Sequence, residues 1–70
     1  MENTGSVVFF DVARGYGFIK PDDGVRDVFV HATALAHVGL RSLNGGQRVK
    51  FNVDFDKVKG QGKVTSLSLL

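Results

Sequence analysis

Arg14-Gly15-Tyr16-Gly17-Phe18-Ile19-Lys20 is the stretch whose reading decides the fold. A strand has a side-chain period of two, which places Tyr16, Phe18 and Lys20 on one face and Gly15, Gly17 and Ile19 on the other. A second stretch, Asp27-Val28-Phe29-Val30-His31, repeats the alternation, with Phe29 and His31 on one side and Val28 and Val30 on the other. Paired, the two strands offer Ile19, Val28 and Val30 to a core. Their opposite face carries four rings, Tyr16, Phe18, Phe29 and His31, with a cationic rim. A solvated strand face ordinarily reads polar, so rings kept there suit a flat ligand. Nucleic-acid bases are flat. Stacking one on an aromatic side chain is worth about 1–3 kcal/mol whatever the base, while nearby Lys and Arg neutralise phosphates. The alternative, rings buried in a two-sided core, needs a second layer on each side of the sheet, and the chain is too short to supply one.

Working outward, residues 5–12 form a first strand containing Val7, Val8, Phe9 and Phe10 in succession. Unbroken apolar character hides the alternation, so one of Phe9 and Phe10 belongs to the core and the other is exposed or shared. A turn at residues 11–14 leads into the second strand, 15–20. Pro21-Asp22-Asp23-Gly24 is a turn in which Pro sets φ, Asp bonds its own backbone and Gly takes positive φ. Residues 27–31 return antiparallel as the third strand. The long connection at residues 32–46 allows one helical turn at 33–36 capped by Thr33, and Gly39 and Asn44-Gly45-Gly46 forbid more. Residues 47–56 alternate most clearly, with Val49, Phe51, Val53 and Phe55 predicted inward and Arg48, Lys50, Asn52 and Asp54 outward. A basic, glycine-containing loop at 57–62 precedes a fifth strand at 63–69. Five short strands without a sizeable helix predict an all-β, five-stranded antiparallel barrel, whose closure disposes of exposed edges.

The 70 residues suit a single domain, 1–70, which would bury only about 60% of its unfolded surface. There is no cysteine, so neither a disulfide framework nor a thiolate metal site supports the chain. No basic-then-apolar leader opens it and no apolar run approaches the roughly 20 residues that span a bilayer, so a cytoplasmic protein without a membrane partner is expected. Net charge is only +2, so distribution says more than total. Arg14, Lys20, Lys57, Lys59 and Lys63 lie near the ring stretches or in the late loop, whereas Asp22, Asp23 and Asp27 sit in turns.

An enzyme is excluded by the want of a nucleophile with a base, or of paired carboxylates in a cleft. His31 and His37 are too few ligands for a metal site, and Gly15-x-Gly17 lacks the third glycine and following helix of a dinucleotide fingerprint, so no cofactor is expected. A two-helix RNA-recognition module would need its motifs in the opposite order and helices for which there is no room.

The residues quoted resemble the cold-shock domain family of bacterial cold-shock proteins. Arg14-Gly15-Tyr16-Gly17-Phe18-Ile19 looks like that family's first ribonucleoprotein motif and Val28-Phe29-Val30-His31 like its second. Thr4-Gly5, Pro21-Asp22-Asp23-Gly24, Asp27, Ser42-Leu43, Gly46-Gln47 and Val64-Thr65-Ser66-Leu67 fall at matching spacing, so the resemblance covers nearly the whole chain. It implies an OB-fold barrel that binds single-stranded RNA or DNA with little sequence selectivity, acting as an RNA chaperone or as a modulator of transcription or translation. By position it implies a stacking surface of Phe9, Tyr16, Phe18, Phe29 and His31, with Phe10 beside it and Arg14 on a phosphate. Lys20, Lys57, Lys59 and Lys63 complete the candidate site, and Leu40 covers a base.

This chain departs from the family pattern in places. Phe9 stands where tryptophan is usual, Ala32 where a phenylalanine follows the histidine, Leu40 where an aromatic is usual, Val8 where there is a lysine and Lys63 where asparagine is common. Two lost stacking positions at about 1–3 kcal/mol each imply weaker binding than that of a standard member. The competing reading is a protein-interaction barrel with reduced nucleic-acid binding, or a dimer that exchanges its first three strands across the 32–46 connection; a monomer and such a swapped homodimer are both open.

Overall fold

The β-branched and aromatic runs form strands because their side chains pack on a pleated surface, and the glycine- and proline-bearing stretches between them turn. The computed structural model describes residues 2–24, 26–56 and 61–70. Its elements are β1 (Glu2–Asp11), β2 (Tyr16–Pro21), β3 (Val28–His31), α1 (Ala32–Ala36), β4 (Arg48–Asp56) and β5 (Gln61–Leu69). The strands close into a barrel in the order β1-β2-β3-β5-β4. Four seams are antiparallel and the fifth, β3 against β5 through Phe29 and Lys63, is parallel. That corrects the all-antiparallel expectation, for a simple reason: strand direction cannot alternate all the way round a closed ring of five.

Inside lie Val7, Ile19, Val30, Leu35, Val49 and Phe51, each almost wholly buried, with Val28, Val64 and Leu67 beside them. The inward positions expected of β2 and β3 are therefore the observed ones. β1 holds a surprise. Val7 pairs with Ile19 but the next pair is Phe9 with Phe18, so Val8 is bulged out of the ladder. Without the bulge Val7 and Phe9 would share a face. With it, Val7 is buried, Phe9 is 43% exposed and Phe10 turns back to pack against the core.

A second bulge corrects β4. Asn52 pairs with Ser66 and Val53 with Val64, which passes over Thr65. Beyond it β4 runs out at the end of the barrel, and Phe55, predicted inward by alternation, is 63% exposed, opposite Gly62. The period was right, but at that level the described residues leave the ring largely open to solvent.

α1 plugs one end with Ala34 and Leu35. It spans Ala32–Ala36, and its cap is His31 rather than Thr33: the extended backbone of His31 (φ −101°, ψ 156°) ends β3, and its ring accepts the Thr33 N–H. The helix stops by a Schellman pattern. Leu40 N–H reaches the Leu35 carbonyl at 2.9 Å, Gly39 N–H reaches that of Ala36 at 3.1 Å, and Gly39 takes φ +74°. The stop folds Leu40 back onto the core. No helix among the described residues is long and apolar enough to cross a membrane.

An exposed polar knot ties three elements together at another point on the wall. Arg48 on β4 donates to Asp22 at 2.6 and 2.5 Å and to Ser6 at 3.0 Å, and Thr4 donates to Asp22 at 2.8 Å. These bonds, that from Arg48 first and that from Thr4 next, pull the Asp22 carboxyl down from 3.8 to about 2, and Asp22 in turn raises Arg48.

Candidate nucleic-acid interface

Register turns the outward residues into two lateral rows. Phe9 on β1 pairs with Phe18 on β2, Phe18 with Phe29 on β3, Phe29 with Lys63 on β5, and Lys63 with Asp54 on β4. One strand step away, Asp11 pairs with Tyr16 and Tyr16 with His31. Residues directly opposite in a ladder have Cβ atoms about 4.5–5.5 Å apart, so each row is a continuous strip of side chains.

The rings form one connected group. Phe9 and Phe18 have centroids 5.7 Å apart, Phe18 and Phe29 6.0 Å, Tyr16 and Phe29 5.8 Å, and Phe29 and His31 6.3 Å. Tyr16 also meets Phe9 at 6.4 Å and Phe18 at 6.1 Å, both edge to face. Interplanar angles from 34° to 74° mean that the rings brace one another by edges and tilts rather than by flat stacking. Flat faces are thus left for a ligand. Phe9 and His31 are exposed, and Tyr16, Phe18 and Phe29 half-buried.

The glycines of the deciding stretch explain how the rows approach so closely. A Cβ on Gly17 would lie 2.3 Å from the Phe9 carbonyl oxygen and 2.8 Å from the Phe10 Cα, so β1 crosses β2 where only hydrogen fits. Gly15 takes φ +75° at the end of the β1–β2 turn. In that turn Asp11 accepts the Gly15 N–H through its carbonyl at 2.8 Å and the Arg14 N–H through Oδ1 at 3.2 Å. At the other end of the row, Nδ1 of His31 accepts the Thr33 N–H at 3.2 Å and lies 3.1 Å from the Thr33 hydroxyl. An accepting Nδ1 puts the ring proton on Nε2, which can donate to a base or a phosphate.

Of the sequence-derived candidates, the fold brings Phe9, Tyr16, Phe18, Phe29 and His31 together. Lys63 stands beside Phe29, and Lys20 two residues beyond Phe18 on the same exposed face. Arg14 sits at the turn with Nε 3.7 Å from Asp11 Oδ2. Phe10 and Leu40 are elsewhere: both pack against the core, Phe10 because the β1 bulge turns it inward and Leu40 because the helix stop folds it back. Lys57 and Lys59 lie outside the described residues. Sequence reasoning missed Asp11 and Asp54, which occupy the ends of the two rows, and Thr33, which holds His31 by its ring. Asp54 was legible as an outward position of β4; that the outward face of β4 is continuous with the ring face follows only from barrel closure. Among the described residues no group of three or more His, Cys, Asp or Glu side chains could hold a metal ion.

A closed five-stranded barrel that carries connected aromatic rings on its outer wall, edged by lysines, belongs to the oligonucleotide-binding class of β-barrel. The comparison with known proteins narrows the class. The sequence model described as the "'Cold-shock' DNA-binding domain" matches residues 3–66. The chain is 45% identical over 65 residues to cold shock protein CspA of Rhizobium meliloti, covering 93% of this chain and 94% of that one. It is 42% identical over 67 residues to the probable cold shock protein y4cH of Sinorhizobium fredii, covering 96% and 97%. Cold shock-like protein CspG of Escherichia coli is 49% identical over 51 residues, 73% of each chain. The chain belongs to the cold-shock domain family, whose members bind nucleic acid.

Proposed function

We propose that this chain binds single-stranded RNA or DNA by stacking bases on Phe9, Tyr16, Phe18, Phe29 and His31, with Lys20, Lys63 and Arg14 meeting phosphates. Binding rather than catalysis is its activity. Through it the chain acts as an RNA chaperone, or as a modulator of transcription or translation, by holding strands unpaired. The observation that carries the reading is the ring group itself: five connected rings held on the outer wall, where a folded chain gains least from them. Stacking needs an unpaired base, so duplex is refused. Affinity is below that of a standard family member, because Ala32 adds no ring next to His31 and Leu40 is turned onto the core.

The test is a fluorescence-anisotropy titration of a labelled single-stranded pyrimidine oligonucleotide against a duplex of the same length, at low and moderate salt. Micromolar or tighter binding to the single strand alone is expected. Lys20 and Lys63 by themselves give a slope of log K against log salt of about −1.4, and Arg14 with a loop lysine takes it to about −2 to −3. A flat slope removes the electrostatic part of the account. No binding at high micromolar protein leaves the barrel to a protein partner.

A further inference from the structure

We propose that Asp11 is a built-in competitor for nucleic-acid phosphate at Arg14, and so sets the affinity of the ring face. The proposal rests on the single-strand reading above and adds to it a residue that opposes binding.

The cations around the rings are not equivalent. Lys20 and Lys63 are exposed and have no ion-pair partner among the described residues, whereas Arg14 is held by Asp11, Nε to Oδ2 at 3.7 Å. The carboxylate cannot swing away freely, because its Oδ1 accepts the Arg14 backbone N–H, and the Asp11 backbone carbonyl fixes the turn by accepting the Gly15 N–H. The turn that delivers Arg14 to the rings therefore also delivers an anion to it. Asp11 stands directly opposite Tyr16, in the row that ends at His31, so its charge lies along the path of a strand stacked there. The pair is loose enough to be displaced. One nitrogen faces one oxygen at the long end of contact and the Arg14 side chain is 73% exposed, whereas a phosphate can take the guanidinium fork through two bonds. A bound strand must compete with Asp11 for Arg14, and where the Asp11 pair persists the Arg14 charge is withheld from the phosphate.

Asp11→Asn separates charge from architecture, since the amide oxygen still accepts the Arg14 N–H and the turn is kept. Expected is about two- to fivefold tighter binding of the pyrimidine oligonucleotide at low salt, the range that exposed ion pairs span. The slope of log K against log salt should steepen by about 0.7 as one more phosphate is neutralised. Arg14→Gln should cost little in the wild-type background, where Arg14 is masked, and the full gain in the Asp11→Asn background. Asp54→Asn is the comparison, because Asp54 stands opposite Lys63 and makes no ion pair among the described residues, and it should tighten binding less than Asp11→Asn does. A thermal midpoint within a degree or two of wild type confirms that the turn is intact.

If Asp11→Asn tightens binding by the same factor in the Arg14→Gln background, the carboxylate acts through its field alone and the proposal fails. It fails too if wild type binds and Asp11→Asn binds no tighter. Should neither bind single strands, the nucleic-acid reading itself falls and takes this inference with it.

Discussion

The two faces of β2 and β3 are built from the same ten residues and obey different rules. The inner face, Ile19, Val28 and Val30, is closed to solvent, and its side chains are held by neighbours from every strand. The outer face, Tyr16, Phe18, Phe29 and His31, touches mainly itself, ring edge to ring face, and stays open to water. Burial decides the first and reach decides the second. A residue can therefore be essential to one property and nearly neutral for the other, which a domain of 70 residues with little stability to spare can exploit.

The largest effect falls on the inner face. Ile19→Ala empties a fully buried position and should cost about 2–5 kcal/mol, about half of the roughly 4–10 kcal/mol available to such a chain, read as a large fall in the urea midpoint. Its neighbour on the outer face should behave oppositely. Phe18→Ala should keep the midpoint near wild type and weaken single-strand binding by about 1–3 kcal/mol, roughly 5- to 150-fold. Equal loss of stability from the two would erase the distinction between the faces.

Gly17→Ala tests whether the faces can be damaged together. The added Cβ meets the β1 backbone at Phe9 and Phe10 as well as the core-packed Phe10 ring, so β1 must shift, at about 1–3 kcal/mol of stability, and Phe9 must move with it. Urea titration and anisotropy should both report a loss.

His31 belongs to both accounts, as a ring of the platform and as the cap of α1. His31→Ala should therefore lose about 0.5–2 kcal/mol of stability as well as a stacking partner, whereas His31→Asn restores an acceptor at the cap without restoring the ring. Recovery of the midpoint with binding still weak would separate the roles. Recovery of both would mean that the ring contributes to binding only by capping.

The smallest effect lies away from both faces, at Asp22. Its folded pKa of about 2 lies below 3.8, so the fold favours the ionised form. The stabilisation is complete above about pH 4, fades as pH falls toward 2 and is gone below it. Asp22→Asn should flatten that limb of the acid-unfolding curve and leave single-strand binding at neutral pH unchanged.

What could be read before the structure follows the same division. β2 and β3 were legible to within a residue because their period of two is unbroken and glycine, ring and aliphatic residues mark the faces. β1 was not, since Val7-Val8-Phe9-Phe10 is apolar at every position and only the bulge at Val8 sends Phe9 out and Phe10 in. Phe55 was misread for the complementary reason: its alternation is correct, but the described residues leave it mostly exposed. The helix was expected one residue late and with the wrong cap, because a histidine nitrogen in the role of a capping oxygen leaves no sequence signal of the usual kind.

Chain chemistry alone determined that there would be five short strands, that a barrel would close them, and that rings would face outward at Tyr16, Phe18, Phe29 and His31. These are local properties, carried by period and by turn residues a few positions apart. Only the tertiary structure decided which seam is parallel, that Phe10 rather than Phe9 turns to the core, that Leu40 packs against that core, and that Asp54 and Asp11 stand at the ends of the rows. Each of those depends on register between strands distant in sequence, which is set when the whole core packs.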